Sequence, residues 1–216
     1  MIALQQVTLK LGAFELRDIA FEVEAGSHTV LMGRTGAGKT TLLEAICGLR
    51  RISSGRVILG GRDVTEAPPG ARGIGFVPQD GALFQHLTVR EHLAFSLKVR
   101  EWELQRMESR VMELSDWLGL GALLDRTPAG LSGGEAQRVA LGRAIASSPE
   151  VLCLDEPLSA LDDETRAEVC GVLTELRERT HITILHITHN RHEADRLADR
   201  ILVLRDGRVG VESSSV

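Results

Sequence analysis

Gly33-Arg34-Thr35-Gly36-Ala37-Gly38-Lys39-Thr40 lies between an apolar run and a helix-forming one. Glycines at that spacing let consecutive backbone N–H groups turn inward. The helix N-terminus behind them adds its positive end, so the loop can cradle the β-phosphate of a nucleotide. Lys39 is suited to neutralising β and γ oxygens, and the Thr40 hydroxyl to ligating Mg²⁺. A second run, Val151-Leu152-Cys153-Leu154-Asp155-Glu156, presents two carboxylates at the end of an uncharged strand. Ligands bind in open α/β folds at the carboxyl edge of the sheet. There Asp155 is the candidate Mg²⁺ partner, directly or through water, and Glu156 the base that orients the attacking water. Without the glycine loop upstream, both acids would be ordinary solvated loop residues. A third run, Leu131-Ser132-Gly133-Gly134-Glu135, opens a helix. Ser132 and Glu135 form a capping box, which leaves Gly133 and Gly134 unexplained, since each costs about 1 kcal/mol in a helix relative to alanine. Paired glycines are expected where something must approach the backbone closely.

These residues need a scaffold, and its elements can be read along the chain. Residues 2–9 and 14–23 read as short strands, with breaks at Gly12 and Ala25-Gly26. Residues 28–32 form an apolar strand feeding the glycine loop, and 39–46 the helix after it, closed near Gly48. Residues 57–62 read as a hairpin arm, Pro68-Pro69-Gly70 as an exposed turn and 74–77 as another strand. From about Thr88 to Ser147 the pattern turns helical. Met107, Val111, Leu114 and Leu118 fall on one helix face, and Ser132 starts a helix that can run to Ser147, with Pro149 as its stop. Strands return at 151–154, 182–187 and 201–204. Val169, Val172, Leu173 and Leu176 mark an amphipathic helix, and Asp206-Gly207 a turn. Strands alternating with helices imply an α/β fold whose mainly parallel sheet is covered on both faces. A helical insert at about 88–147 splits the core, which takes about 1–87 and 148–216. Ser213-Ser214-Ser215 reads as a frayed end.

The bulk properties exclude several classes. A chain of 216 residues makes one large domain or two small ones, able to bury roughly 70% of its unfolded surface. A net charge of -5 argues against non-specific nucleic-acid binding. Cys47, Cys153 and Cys170 lie in apolar segments without paired spacing, as reduced core thiols do. The start, Met1-Ile2-Ala3-Leu4-Gln5-Gln6, lacks a signal-peptide pattern, and no apolar stretch approaches the roughly 18 residues of a membrane span. The expectation is a cytosolic protein that reaches a membrane through a partner.

The order of the three runs resembles the ATP-binding cassette (ABC) ATPases, whose signature is L-S-G-G-[EQ] shortly upstream of the carboxylate strand. The likeness extends over about residues 7–209. It implies a P-loop NTPase core with an N-terminal antiparallel β subdomain and an inserted α-helical subdomain, binding ATP and Mg²⁺. It assigns Gly33, Arg34, Thr35, Gly36, Ala37, Gly38, Lys39, Thr40 and Thr41 to the nucleotide. Ser132, Gly133 and Gly134 would contact the γ-phosphate of ATP held by a second, identical subunit. Gln79, after Gly75-Phe76-Val77-Pro78, resembles the glutamine that touches Mg²⁺ and senses the attached membrane subunit. Ser159-Ala160-Leu161-Asp162 resembles the loop that crosses the dimer seam. His189, after Ile187-Thr188, resembles the switch histidine on the γ-phosphate. Glu156, His189, Gln79 and Lys39 thus form the expected catalytic set, and Thr40, Gln79 and Asp155 the Mg²⁺ set. His28, His86, His92, His181, His186 and His192 read as structural. The chain departs from the family in places. Leu11 stands where an aromatic often stacks on adenine, with Phe14 close but out of register. Asn190 follows His189 where aspartate is usual, and Gly142 replaces alanine.

Arg72 to Asp80, then Leu83-Phe84 and His86-Leu87-Thr88-Val89-Arg90-Glu91, look like the corresponding stretch of importers for oxyanions, polyamines, sugars, thiamine or iron. The resemblance implies an ATPase subunit of an ABC importer, peripheral at the cytoplasmic face of the cell membrane. It would act as an ATP-linked homodimer with permease subunits and, indirectly, with a periplasmic or extracellular substrate-binding protein. A non-importing membrane complex of cell-division or lipoprotein-release type, or an exporter, is the alternative. A soluble DNA-repair or translation ATPase is disfavoured, because those chains carry coiled-coil insertions or two cassettes. The sequence ends at Val216, so no C-terminal regulatory domain is expected. Leu83, Phe84 and Leu87 either receive the permease or pack inside the insert.

Overall fold

Two kinds of hydrophobic pattern build two kinds of sheet. The structure is a computed structural model, and it describes residues 1–12 and 14–212. In chain order it holds strands β1 (Ile2–Leu11), β2 (Phe14–Val23) and β3 (His28–Gly33), helix α1 (Lys39–Cys47), and strands β4 (Ser54–Leu59), β5 (Arg62–Asp63) and β6 (Ile74–Val77). Helices α2 (Val89–Val99), α3 (Leu104–Trp117) and α4 (Gly133–Ile145) follow, then strand β7 (Val151–Asp155), helix α5 (Asp163–Thr180) and strand β8 (Thr183–Ile187). Helix α6 (Arg191–Leu197) and strands β9 (Arg200–Arg205) and β10 (Arg208–Val211) follow. The seven-residue α6 is absent from the sequence reading, because Arg191-His192-Glu193-Ala194-Asp195-Arg196-Leu197 is too short and polar to show a helical stripe. Ser213-Ser214-Ser215 lies outside the described residues.

The alternating strands β1 and β2 join β4 and β5 in an antiparallel sheet of order β2-β1-β4-β5. The second sheet has the order β10-β9-β3-β8-β7-β6. In it β3 runs parallel to both β8 and β9, and β7 parallel to β8. Every residue of β7 and β8 is buried, as parallel strands covered on both faces require. The chain divides into two compact units. One comprises residues 1–76, 150–156 and those from Leu173 onward; the other comprises residues 77–149 and 157–172, a wider span than 88–147.

In the first unit α1 packs its Leu42, Leu43 and Ile46 into a core shared with Leu31, Cys153, Leu185 and Ile187. Arg72 closes that helix. Its guanidinium is buried and donates to the carbonyls of Ala45 (2.9 Å) and Ile46 (2.8 Å) at the helix's negative end, and to those of Ala67 and Thr65. Arg72→Ala should cost about 3 kcal/mol, because four acceptors lose a charged donor together. That corresponds to a melting temperature lower by about 6–12 °C for a chain of this size. Arg72→Lys should recover little, since one ammonium cannot span the same carbonyls. A melting temperature within about 2 °C of wild type in Arg72→Ala would refute this account.

In the second unit, Gly142 has a packing reason for its departure from alanine. A Cβ there would meet Leu93 Cδ2 at 2.5 Å and Leu118 Cδ1 at 2.7 Å, so the two leucine side chains fill the space an alanine would need, and they would have to shift to admit one.

Candidate active site

The carboxyl ends of β3, β8 and β7 are neighbours in the first unit's sheet, and each carries predicted chemistry. Beyond β3 the chain makes the glycine loop and enters α1. Gly38 is the N-cap, in the left-handed region at φ 98°, and among the described residues no side-chain hydrogen bond caps that helix end. Free N–H groups at a helix N-terminus attract an anion. Gly36 also has positive φ, and a Cβ on it would point into open space. Gly38 is different: a Cβ would meet the Phe14 ring at 2.6 Å. Phe14 therefore packs its edge on the loop.

Lys39 is 5% exposed and folds back over the loop, donating from Nζ to the carbonyls of Gly33 (2.9 Å) and Arg34 (3.2 Å). The Thr40 hydroxyl donates to Asp155 Oδ1 at 3.2 Å, across 115 residues of chain. Burial pushes the Asp155 carboxyl above its ordinary value, while the Thr40 hydroxyl pulls it back and the neighbouring Glu156 raises it further. A hydroxyl and a carboxylate in contact, beside a helix end with free amides, suit Mg²⁺, which takes one or two protein oxygens plus phosphates and water.

Glu156 adopts the left-handed region, φ 45°, and its amide donates to Ile187 O of β8 at 2.9 Å. A strained non-glycine residue at a strand end is a feature of functional sites. Its Oε2 lies 3.0 Å from His189 Nδ1, and His189 itself is largely exposed. The first unit thus gathers Lys39, Thr40, Asp155, Glu156 and His189. Thr35, Ala37 and Thr41 belong to the same loop and first helical turn.

The cleft beside the loop, about 380 Å³, is bounded by residues 14–16, 33–37 and 203–207. Leu11 is not among its lining residues. It sits 47% exposed at the end of β1, opposite Phe14 in the ladder. Phe14, across the hairpin from it, lines the cleft together with Glu15 and Leu16.

Gln79, Ser132, Gly133, Gly134 and Asp162 belong to the second unit. Ser132 caps α4: its side chain accepts from Glu135 N (3.3 Å), and its own N–H donates to Glu135 Oε2 (2.6 Å). The paired glycines have an internal reason that sequence could not reveal. A Cβ on Gly134 would meet Thr165 Cγ2 at 2.2 Å, and one on Gly133 would meet Leu161 at 3.3 Å. Thr165 cannot yield, because its hydroxyl and amide are both bonded to the Asp162 carboxylate (2.8 and 2.9 Å). The signature run and the 159–162 loop are therefore packed together, and the close approach inferred from the glycines is made at least in part by α5. Gln79 follows β6, two residues past its end.

Of the histidines read as structural, His28, His92 and His186 are fully buried. His92 Nε2 accepts from Phe84 N (2.9 Å), so its Nδ1 carries the proton and donates to Thr88 O (2.8 Å). The three cysteines are buried thiols. Thr188 and Glu193 escaped the sequence reading. Both are buried polar residues beside His189, and their only signal was position within the strand-to-helix turn.

A phosphate loop, a carboxylate strand end and an L-S-G-G-E helix cap, all carried by one α/β chain, are the marks of an ATP-binding cassette. The chain belongs to the ABC transporter family, whose profile matches residues 16–159. Among its relatives is the molybdate/tungstate import ATP-binding protein WtpC of Thermococcus kodakarensis, 46% identical over 196 residues, covering 91% of this chain and 59% of that protein. Another is the sulfate/thiosulfate import ATP-binding protein CysA of Synechococcus elongatus, 44% identical over 209 residues, covering 96% and 61%. The chain thus spans about three-fifths of the length of these curated relatives. Its fold matches the dimeric post-hydrolysis structure of the ATP-binding cassette MJ0796 bound to ADP and Pi, with TM-score 0.86 and 28% identity over 99% of this chain and 98% of that one.

Proposed function

We propose that this chain is the ATP-binding and ATP-hydrolysing subunit of an importer. Two copies would close on Mg-ATP beneath separate membrane subunits, at the cytoplasmic face of the cell membrane. The observation that carries the reading is the meeting of Thr40 with Asp155 and of Glu156 with His189 at adjacent strand ends. Bound Mg²⁺ supplies Lewis-acid stabilisation of the phosphates. Lys39 would leave the loop carbonyls for phosphate oxygens, Thr40 and Asp155 would hold the metal, and Glu156, oriented by His189, would take a proton from the attacking water. By the family resemblance, Gln79 would sense the state of the membrane subunit. Ser132, Gly133 and Gly134 of one subunit cover the nucleotide of the other, with Asp162 supporting that surface through α5.

The relatives' names support an oxyanion as cargo, delivered by an external substrate-binding protein to the permease and never touching this subunit. The direct test is Mg²⁺-dependent phosphate release from ATP by the purified chain, then its stimulation by the permease when cargo and binding protein are present. No release at any protein concentration would overturn the reading.

For the permease contact, Phe84 is the residue to test. Its ring is 39% exposed yet braced by Phe95 (centroids 5.0 Å), His92 (5.9 Å) and the Arg143 guanidinium (5.5 Å). Arg143 in turn holds the carbonyls of Ala82 and Gly81. A large apolar side chain presented this rigidly suits docking. Phe84→Ala should uncouple ATP hydrolysis from transport and shift the melting temperature by less than about 4 °C. A larger drop with coupling intact would make Phe84 a core residue of the second unit.

A further inference from the structure

Beneath the switch segment runs a buried polar chain that the hydrolytic site does not use. Glu193 on α6 is 4% exposed, Thr188 3%, His28 1% and His186 0%. Burying a carboxylate costs several kcal/mol unless its oxygens are bonded, so its partners indicate what it is for. Glu193 Oε2 accepts from the Thr188 hydroxyl at 2.9 Å, and Thr188 Oγ1 accepts from Asn190 N at 3.0 Å. Oε1 faces His186 Nε2 at 2.8 Å, but out of line for a hydrogen bond. Thr188 is therefore the carboxylate's one aligned side-chain partner among the described residues. His186 Nδ1 lies 3.2 Å from His28 Nε2. Burial holds His28 well below its ordinary value and therefore neutral, so a single proton bridges the two rings. The His28 backbone N–H is held by Asp199, which Arg177 clamps.

We infer that Glu193, acting through the Thr188 hydroxyl, is the positioning residue that aims His189 at Glu156. His189 stands between the two residues that are tied. A threonine hydroxyl has one proton. Once it is committed to Glu193, the lone pairs of Oγ1 are turned to the Asn190 amide. The turn is closed from the other side by Asn190 Oδ1, which accepts from His192 N (3.0 Å) and Glu193 N (3.3 Å). Without Glu193 the hydroxyl is free to rotate, the Asn190 amide loses an oriented acceptor, and the exposed His189 ring has little else to fix it. Stability does not require such a cluster, because buried ionic groups can often be replaced by apolar ones at no loss. The cluster ends at the switch residue, where orientation has consequences for rate.

The inference rests on the ATPase reading for its kinetic consequence and not for its geometry. The test uses the full chain labelled with ¹³C,¹⁵N-histidine, the His189 imidazole signals being assigned by their loss in His189→Ala. Thr188→Val removes only the hydroxyl, and Glu193→Ala the carboxylate. Each should broaden or shift the His189 signals and lower kcat by about tenfold or more, with KM for ATP within about twofold, the signature of lost orientation. Thr188→Ser and Glu193→Gln, which keep the donor and the acceptor, should keep the signals and lie within about threefold of wild type. Unmoved His189 signals in Thr188→Val overturn the inference whatever the rate does, and that pair of Thr188 variants decides alone if Glu193→Ala fails to fold. A wild-type chain that binds ATP without hydrolysing it would sink the proposed function, while the imidazole spectra would still decide this inference.

Discussion

Glu156→Gln is expected to cut ATP turnover by about 10²–10⁴, the range for loss of a general base, while nucleotide binding stays within about threefold. The substitution is clean because of the local geometry. Glu156 is tethered at both ends, by its amide to Ile187 O and by its Oε2 to His189 Nδ1 at 3.0 Å. A glutamine carbonyl oxygen can still accept from that imidazole N–H, so the left-handed backbone and the contact with His189 should persist. Only basicity is lost. Thr40, Lys39 and Asp155, which would hold phosphate and metal, do not depend on Glu156 for their bonds. The variant should therefore bind ATP, fail to discharge it and accumulate as a dimer on sedimentation. Phosphate release above a tenth of the wild-type rate would show that the base is another group.

The second large effect is an all-or-none one between chains. Lys39→Ala removes the cation over the phosphate loop, and Ser132→Arg places a bulky charge at the cap of α4. Each chain alone should be inactive. If the nucleotide lies between the loop of one subunit and the signature helix of the other, a mixed dimer rebuilds one site. The Ser132→Arg chain brings an intact Lys39, and the Lys39→Ala chain an intact Ser132. Random pairing at equal amounts makes half the dimers mixed, each with one of its two sites intact. By twofold symmetry about a quarter of wild-type activity should return. Wild-type hydrolysis should also rise more steeply than linearly with concentration when dilute. No recovery on mixing, together with strictly linear dependence in a chain that sediments as a monomer, would refute the shared site. Loss of the Ser132 cap should cost roughly 1 kcal/mol of helix stability, so both variants need a thermal melt to show they are folded.

Local chemistry explains why much of the site was legible. The turn into α1 needs glycine at positive φ, the start of α4 needs a hydroxyl and a carboxylate three residues apart, and β7 needs an unbroken apolar run. Each is a property of a few consecutive residues. The same holds for the i, i+4, i+7 face of α3, whose Met107, Val111 and Leu114 are buried. Helix α6 was not legible, because its stability comes from the Asn190 cap and the packing of Ala194 and Leu197, not from a stripe.

What sequence alone determined, then, are the parts that a short stretch of backbone can specify: the phosphate loop, the capping box of α4, the strands and the family likeness that orders them. Tertiary structure decided which parts meet. Nothing in residues 183–187 announces that their strand inserts between β3 and β7, yet that insertion is what brings His189 to Glu156. Nor does His28 announce His186, 158 residues away, or Gly134 announce Thr165 on another helix. Nor does the hairpin's sequence announce that Phe14 packs against Gly38 and lines the cleft. Contacts of this kind depend on strand order and close packing across the whole chain, and no local propensity encodes them.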